Sequence, residues 1–199
     1  MSTQITTGKV RFSYCNLFTP RAVQEGATPK YSVTLLIPKS DKATMQKIKA
    51  AMDEAIGLKN LLGYHHMNED WTNEGGWLAC DMRRYLNEEV IALLPDELVA
   101  AIKPRKFGEE EDKLWLFSEM EVFGDHDWTE NDHDRGFQFE YFKDRRNRIK
   151  VDEDGDASWW WERSPYGSNS DYFCGVYSNG YAGIVGAHDA SGVCFGFYI

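Results

Sequence analysis

The stretch WWWERSPYGSNSDYFCGVYSNG, residues 159–180, decides the fold of this chain together with the ending GVCFGFYI, residues 192–199. Large aromatic residues and glycines alternate there with small polar residues. Aromatic side chains supply packing area and glycines permit tight turns, so the first group predicts a rigid frame. We assign to this frame Trp159, Trp160, Trp161, Arg163, Phe173, Phe195 and Phe197.

The residues between these frame positions have the composition of a binding surface. Tyrosine, serine, asparagine and aspartate make adaptable contacts at a low entropic cost. We therefore predict a replaceable ligand-binding surface on a stable scaffold. Its residues are Tyr166, Ser168, Asn169, Ser170, Asp171, Tyr172, Tyr177, Asn179, Tyr181, His188 and Asp189.

These two runs resemble the C-terminal region of variable proteins of diversity-generating retroelements, which have a C-type-lectin-like fold. Upstream, the chain is similar to phage and prophage lectin-like domains related to the formylglycine-generating enzyme fold. The stretches that carry this likeness are MNEDWTNEGGWLACDMRRYLNEEV (67–90), LPDELVAAIKP (94–104), DKLWLFSEMEVFG (112–124) and YFKDRRNRIK (141–150). The resemblance implies an α+β, C-type-lectin-like domain over residues 60–199 that binds a protein or glycan, with a homo-oligomer left open. Because the retroelement changes asparagine codons, it also implies Ile184 and Val185 as variable positions.

The charge distribution divides the chain into two parts. Residues 1–60 hold 9 lysines and arginines against 4 aspartates and glutamates, whereas residues 61–199 hold 13 against 28. The tryptophans also begin only at Trp71. We predict a boundary that separates residues 1–59 from residues 60–199. Because the larger part is acidic and repels phosphate, a nucleic-acid partner is not expected.

The basic part has the pattern strand, strand, helix, with the helix over residues 43–57. Its runs TTGKVRFSY (6–14), PKYSV (29–33) and LLIPKSD (35–41) are similar to a phage single-stranded-DNA-binding protein family with an OB-like barrel. That likeness implies base stacking on Phe12, Tyr14 and Phe18, and phosphate contacts from Lys9, Arg11 and Lys30. Two strands and a helix cannot close a five-stranded barrel, so the segment is interpreted as truncated. A single-stranded-DNA-binding accessory protein is the alternative function.

Shorter patterns predict the elements of the acidic part. Met82, Leu86 and Val90 are spaced for the buried stripe of a helix over residues 79–90, and a second helix is expected over residues 93–102. Leu114 to Gly124 suggests a strand followed by a helical turn around Ser118. Residues 151–162 do not fit a calcium-binding EF-hand and predict a hairpin or turn.

Candidate metal and redox residues do not form a specific pattern. His65 and His66 are adjacent, so they point to opposite faces of a strand and do not form a metal pair. The acidic loop Asp125–Asp134 leaves calcium open as an alternative, although it lacks regular ligand spacing. An oxidase-like enzyme is the third functional hypothesis, with Cys174 and Cys194 as its candidate residues. Neither cysteine has a basic neighbour in the sequence that would lower its thiol pKa. We expect no catalytic activity, no metal and no cofactor.

The chain shows no signal-peptide pattern and no long apolar run. The longest apolar runs, such as Val33–Ile37, are far too short to cross a bilayer. We therefore expect a phage- or prophage-encoded protein that is made in soluble form without membrane contact. Its expected location is the cytoplasm or the virion.

Overall fold

The protein is an α+β structure of short strands and helices, which confirms the predicted class. The computed structural model describes residues 5–7, 10–12, 14–17, 55–58, 60–94, 96–125, 128–129 and 137–198, with side chains from Gly57 onwards, Glu97 excepted. The strands are β1 Ile5–Thr7, β2 Val10–Phe12, β3 Tyr14–Leu17, β4 Ala55–Leu58, β5 Tyr64–His65, β6 Arg105–Phe107, β7 Glu110–Asp112, β8 Trp115–Leu116, β9 Lys150–Val151, β10 Ala157–Ser158, β11 Trp160–Pro165, β12 Tyr172–Val176, β13 Ala182–Gly186, β14 Ser191–Gly192 and β15 Phe195–Tyr198. The helices are α1 Gly76–Ala79, α2 Asp81–Arg84, α3 Asp96–Ala101, α4 Glu119–Phe123, α5 Glu140–Lys143 and α6 Arg145–Arg148, with a π-helical turn at Tyr85–Val90 and a 3-10 turn at Ile91–Leu93.

The largest sheet among the described residues has five strands in the order β13-β12-β11-β14-β5. The strands β11, β12 and β13 follow one another as an antiparallel meander, in which Phe173 lies opposite Val185. The short strand β14 runs parallel to β11 and pairs Gly192 with Trp160. Because β11 is an inner strand whose residues are buried on both faces, Trp160 and Trp161 are both fully buried.

A second sheet has four strands in the order β3-β4-β15-β8. The strand β15 lies between β4 and β8, with Phe197 opposite Ile56 and Phe195 opposite Leu116. On its other edge, β4 pairs with β3. This sheet therefore contains strands from both sides of the boundary predicted at residues 59 and 60, and that boundary stays a prediction.

The predicted helix over residues 43–57 is wrong at its C-terminal end. Residues 55–58 form β4, whose backbone pairs with two other strands. Pairing on both edges outweighs the helical spacing of the apolar residues, because tertiary contacts override local propensity. Most of this predicted helix, and the predicted second strand in the run KYSVTLLIPKSD (30–41), lie outside the described residues.

The helical part at residues 76–93 follows the predicted apolar stripe. Met82, Leu86 and Val90 are all fully buried, as their spacing predicts. The structure divides the expected helix at Cys80, whose extended backbone separates α1 from α2. The second predicted helix is shorter than expected and corresponds to α3.

The predicted strand and helical turn around Ser118 are confirmed as β8 and α4. The Ser118 hydroxyl accepts from the Glu121 backbone N–H, and the Glu121 carboxylate accepts from the Ser118 backbone N–H. This capping box satisfies two backbone donors at the start of a short helix. The predicted hairpin is also confirmed, because β9 and β10 pair across residues 152–156.

No helix in the part of the chain that the structure describes is long and apolar enough to cross a membrane.

Candidate functional site

The loop at residues 166–171, which precedes β12, is anchored in part by one side chain. The Asn73 amide nitrogen donates to the carbonyl oxygens of Tyr166 at 3.0 Å, Asn169 at 3.2 Å and Tyr172 at 2.6 Å. The Asn73 backbone N–H donates to the Ser170 carbonyl oxygen. Four backbone acceptors of the loop are therefore satisfied from a single residue on another segment.

Next to this loop, aromatic and imidazole rings stack at the protein surface. The rings of Trp71 and His188 are 5.1 Å apart, and those of His188 and His66 are 6.3 Å apart. Trp71 is 58 % exposed. Burial and the neighbouring His65 lower the pKa of His66, although Asp81 and Glu69 act in the opposite direction. The stack presents flat ring faces of the kind that pack against sugars, bases or aromatic side chains.

A second group of predicted site residues surrounds the turn between β12 and β13. The Tyr177 ring lies 4.2 Å from the Trp159 ring, and a side chain at Gly183 would collide with it. Arg145 donates to the Asn179 carbonyl oxygen at 2.6 Å, and its guanidinium lies 4.9 Å from the centre of the Tyr181 ring. Trp159 and Arg145 therefore belong to this end of the molecule.

Apart from Ile184 and Val185, which lie within β13, the predicted ligand-binding residues lie at the two ends of the ladder formed by β12 and β13. Tyr172 pairs with Gly186 at one end, and Val176 pairs with Ala182 at the other. Four residue steps along a strand span about 13 Å. The loops at residues 166–171 and 187–190 lie at the first end, which we call the Asn73 end. The turn at residues 177–181 lies at the second, which we call the Arg145 end.

Most of the predicted ligand-binding residues are accessible. The exposed members are Ser168, Asn169, Ser170, Asp171, Asn179, Tyr181, His188 and Asp189, and the partly buried members are Tyr166, Tyr172, Tyr177 and Ile184. Val185 is the exception, because it faces the core opposite Phe173 and is only 9 % exposed. Its assignment to the accessible surface is therefore corrected, since alternate residues of β13 point inwards.

The assigned frame residues are buried, with one exception. Trp160, Trp161, Arg163, Phe173, Phe195 and Phe197 are at most 3 % exposed. Trp159 is 43 % exposed, so its assignment to the packed frame is corrected. It lies between β10 and β11, where its backbone carbonyl accepts from Gly192 and its ring rests on Tyr177.

Arg163 takes part in a buried ion-pair network. It donates to Glu121 at 2.6 Å, and Arg105 lies 2.6 Å from the other oxygen of the same carboxylate. Burial opposes the charge on Glu121, but the two guanidinium groups outweigh it and lower the carboxyl pKa below the ordinary 4.5. Glu121 therefore pairs with both arginines, of which Arg163 is buried and Arg105 is half-buried.

This network forms one side of a cleft of about 650 Å³. Its walls are the segment 73–78, the turn after β6, and the end of β11 with the following loop. Tyr166 and Ser170 are the predicted site residues that line it. The Asn73 end thus combines an anchored loop, an exposed ring stack and a cleft.

The candidate redox cysteines are buried, and the described residues contain no metal-binding group. Cys174 and Cys194 are buried, and their thiols contact the Thr129 hydroxyl and the Leu58 carbonyl respectively. Among the described residues no group of three or more His, Cys, Asp or Glu is arranged to hold a metal ion. Most of the acidic loop 125–134 lies outside the described residues. The expectations of no enzyme activity and no calcium therefore stay predictions.

Sequence reasoning missed the residues that organise the site from other segments. Asn73, Trp71 and Arg145 lie far along the chain from the loops they contact, so no local pattern marks them. Arg105 is likewise distant in sequence from Glu121 and Arg163, and no local pattern marks it. The link between Glu121 and Ser118 had a local signal, because Ser-x-x-Glu ahead of an apolar residue is typical of a capping box.

The fold and the site define the class of this protein. It is an α+β domain with polar loops at both ends of its central meander and a cleft at the Asn73 end. Residues 46–195 match the family described as Domain of unknown function (DUF6273), and the chain belongs to this family. Residues 3–73 are similar to a second family, described as Enterobacter phage Enc34, ssDNA-binding protein. No curated protein and no solved structure matches the chain.

These matches bear on the two resemblances seen in the sequence. The likeness of the N-terminal segment to a phage single-stranded-DNA-binding protein is confirmed over residues 3–73. The likeness to retroelement variable proteins and C-type lectins stays a prediction. The two matched regions overlap at residues 46–73, which include β4 and β5.

Proposed function

We propose that the chain is a phage-type single-stranded-DNA-binding accessory protein whose DNA contacts lie in its N-terminal segment. The observation that carries this proposal is the match of residues 3–73 to the phage ssDNA-binding family. It reverses the expectation, drawn from the acidic composition of the larger part, that nucleic acid is not a partner.

The distribution of charge supports the same assignment. Residues 1–60 carry an excess of five positive charges within a chain of net charge −10. Lysine and arginine bind the phosphate backbone and release counterions, whereas the acidic remainder repels it. DNA binding is therefore confined to the basic segment.

The strand content of the matched region differs from the truncated-barrel interpretation. The interpretation as a truncated barrel counts two strands and a helix, whereas the structure describes five strands, β1 to β5, within residues 3–73. Of these, β4 and β5 pair with strands of the acidic part. Arg11 and Phe12 lie on β2 and Tyr14 on β3. We assign the contacts to these strands, with Lys9, Phe18 and Lys30, which lie outside the described residues.

The test is oligonucleotide binding by variants of the full chain. Phe12→Ala with Tyr14→Ala should weaken binding at least about tenfold, because each base stacked on an aromatic ring contributes about 1–3 kcal/mol. Phe12→Leu with Tyr14→Leu keeps apolar bulk and should weaken binding similarly if stacking is the cause. The matched control is Trp159→Ala with Tyr181→Ala, two exposed aromatic residues of the acidic part. Equal binding by all these proteins would exclude the proposal.

A second function is proposed for the acidic part, namely ligand binding by a lectin-like domain whose polar loops are diversified by a retroelement. The supporting observation is that β4 pairs with the last strand β15, while the meander β11–β12–β13 carries the exposed polar residues. A protein or glycan would be the ligand. Sequencing the gene in sister isolates is the test. Substitutions should concentrate at the polar loop positions and spare Trp160 and Trp161, and an even spread would contradict the proposal.

A further inference from the structure

Trp71 lies in a turn at the Asn73 end that is fixed by hydrogen bonds on both sides. The Asn68 side chain donates to the Thr72 carbonyl oxygen and accepts from the Asp81 backbone N–H at 3.0 Å. The Thr72 hydroxyl accepts from the Glu74 backbone N–H at 3.1 Å. Although its turn is ordered in this way, Trp71 is 58 % exposed. An exposed tryptophan on an ordered turn suits a binding surface, because little conformational entropy is lost when a ligand packs on it.

The indole ring is also fixed by its neighbours on β13 and the loop that follows. The His188 ring lies 5.1 Å from the Trp71 ring and is inclined to it by 24°. His188 is itself held, because its Nδ1 donates to the Glu69 carbonyl oxygen. A Cβ at Gly186 would lie 3.4 Å from Cζ3 of Trp71, so the glycine lets the ring approach the strand closely. The ring therefore has a defined position with much of its surface accessible.

A carboxylate lies beside this ring. The same Cβ at Gly186 would lie 2.7 Å from Oδ2 of Asp189, so the edge of the Trp71 ring and the Asp189 carboxylate meet over one glycine. Asp189 is exposed, and no ion pair among the described residues involves it. An aromatic ring and a negative charge are thus available side by side to one ligand group.

The other loops of the Asn73 end add charge of the same sign. The segments 66–73, 166–171 and 187–190 contain no lysine and no arginine, and all four of their carboxylates are exposed. These are Glu69, Asp70, Asp171 and Asp189. Because like charges repel, this surface disfavours an anionic partner and attracts a cationic one.

We infer that Trp71 and Asp189 form a docking site for an arginine side chain of a partner protein. The guanidinium group is planar and permanently charged, so it stacks on an indole ring and pairs with a neighbouring carboxylate at the same time. The inference rests on the second proposed function only in placing a ligand at these loops, and it does not require that the loops be diversified. The site shares no residue with the DNA contacts assigned to β2 and β3.

A peptide titration of the full chain, followed by NMR at the backbone amide signals of residues 187–190, tests this inference. The probe is the capped peptide Gly-Arg-Gly, and the same peptide with citrulline, the uncharged isostere of arginine, is its control. The arginine peptide should bind at least about fivefold more tightly, because the cation–π contact and the carboxylate pair both require the charge. If the two peptides bind equally, or if neither shifts these signals, the inference is overturned.

Matched variants separate this site from general attraction to an acidic protein. Trp71→Leu keeps an apolar side chain and should weaken binding of the arginine peptide about fivefold. Trp159→Leu changes an exposed tryptophan at the Arg145 end and should leave binding unchanged. Asp189→Asn should weaken binding, whereas Glu153→Gln, which removes the same charge from the exposed turn between β9 and β10, should not. Equal effects within either pair would overturn the inference.

The outcome is distinguishable from failure of the proposed functions. Oligonucleotide binding by Trp71→Leu should equal that of the unchanged protein, because the DNA contacts lie elsewhere. Diversification of the loops is tested by sequencing and not by peptide binding. A protein that binds the oligonucleotide and not the arginine peptide would therefore contradict this site alone.

Discussion

At the residue scale, the Asn73 side chain makes three hydrogen bonds to the loop at residues 166–172. Replacing Asn73 by Ala removes the amide that donates to three carbonyl oxygens. The half-buried Tyr166 carbonyl loses its amide donor, whereas the Asn169 and Tyr172 carbonyls keep a backbone donor. An unsatisfied acceptor costs about 1–3 kcal/mol, so we expect the free energy of unfolding to fall by about this amount. Chemical denaturation measures the change. Ser168→Ala, an exposed change in the same loop, is the control and should have little effect. If the two variants are equally stable, the loop is held by other contacts.

Glu121 provides a second prediction at the residue scale, because its charge balances two arginines. Glu121→Gln leaves the guanidiniums of Arg105 and Arg163 without their buried carboxylate and should destabilise the fold by about 3–5 kcal/mol at neutral pH. Glu140→Gln, which breaks a more exposed pair with Lys143, should cost at most about 1 kcal/mol. Similar losses in the two variants would contradict the importance of the network.

The pH dependence of stability tests the same carboxylate. The folded pKa of Glu121 is below the ordinary 4.5, so the unfolded chain binds this proton more tightly. The stabilisation is therefore complete above the unfolded pKa and is lost as the pH falls through the folded value. The difference in unfolding free energy between the protein and Glu121→Gln should shrink on acidification below about pH 4.5. A difference that stays constant down to pH 3, or thereabouts, would contradict the assignment.

At the scale of elements, the start of β11 lies between two neighbouring tryptophans that differ in burial. Trp159 precedes the strand and Trp160 is its first residue. Trp160 is fully buried, donates to the Arg148 carbonyl at 2.8 Å and stacks near Phe142. Trp160→Ala should reduce the free energy of unfolding by about 3–5 kcal/mol. Trp159→Ala loses mainly its contact with Tyr177 and should cost about 0.5–1.5 kcal/mol. Thermal or chemical unfolding compares them, and equal losses would show that β11 is not the buried centre of the sheet.

Elements whose own residues show a local sequence pattern could be predicted. Elements whose structure depends on pairing with distant segments could not. The spacing of Met82, Leu86 and Val90 identifies a buried helical stripe, and Ser118 marks the start of α4. In contrast, β4 is a strand because two other strands pair with it, which the helical spacing of its own residues does not reveal. Three consecutive tryptophans likewise do not show that Trp159 lies before β11, outside the packed layer.

The site was predictable in composition and not in arrangement. Polar and aromatic residues between frame positions indicate accessible loops, and most of them are exposed. The register of β12 with β13 divides these loops between two ends of the ladder. The cleft, with Arg105 and Asn73 in its walls, depends on contacts between segments far apart in the chain. Local sequence patterns contain no information on such contacts.

At the scale of the whole molecule, the chain joins a basic segment similar to a phage ssDNA-binding protein with an acidic DUF6273 part. The strand β4 of the basic segment pairs with β15 of the acidic part, so the two parts share backbone hydrogen bonds. A DNA strand bound at the basic segment would be kept from the rest of the surface by charge repulsion.

The most direct test of this account is the salt dependence of binding to a labelled single-stranded oligonucleotide, followed by fluorescence anisotropy. We predict binding that weakens steeply with salt, with a logarithmic slope of about −0.7 for each phosphate contacted. Replacing Lys9, Arg11 and Lys30 by Ala should make the slope shallower by about two units. Lys143→Ala with Arg146→Ala, in the acidic part, is the control and should leave the slope unchanged. Absence of binding at low salt, or an unchanged slope in the triple variant, would contradict the assignment of DNA binding to the N-terminal segment.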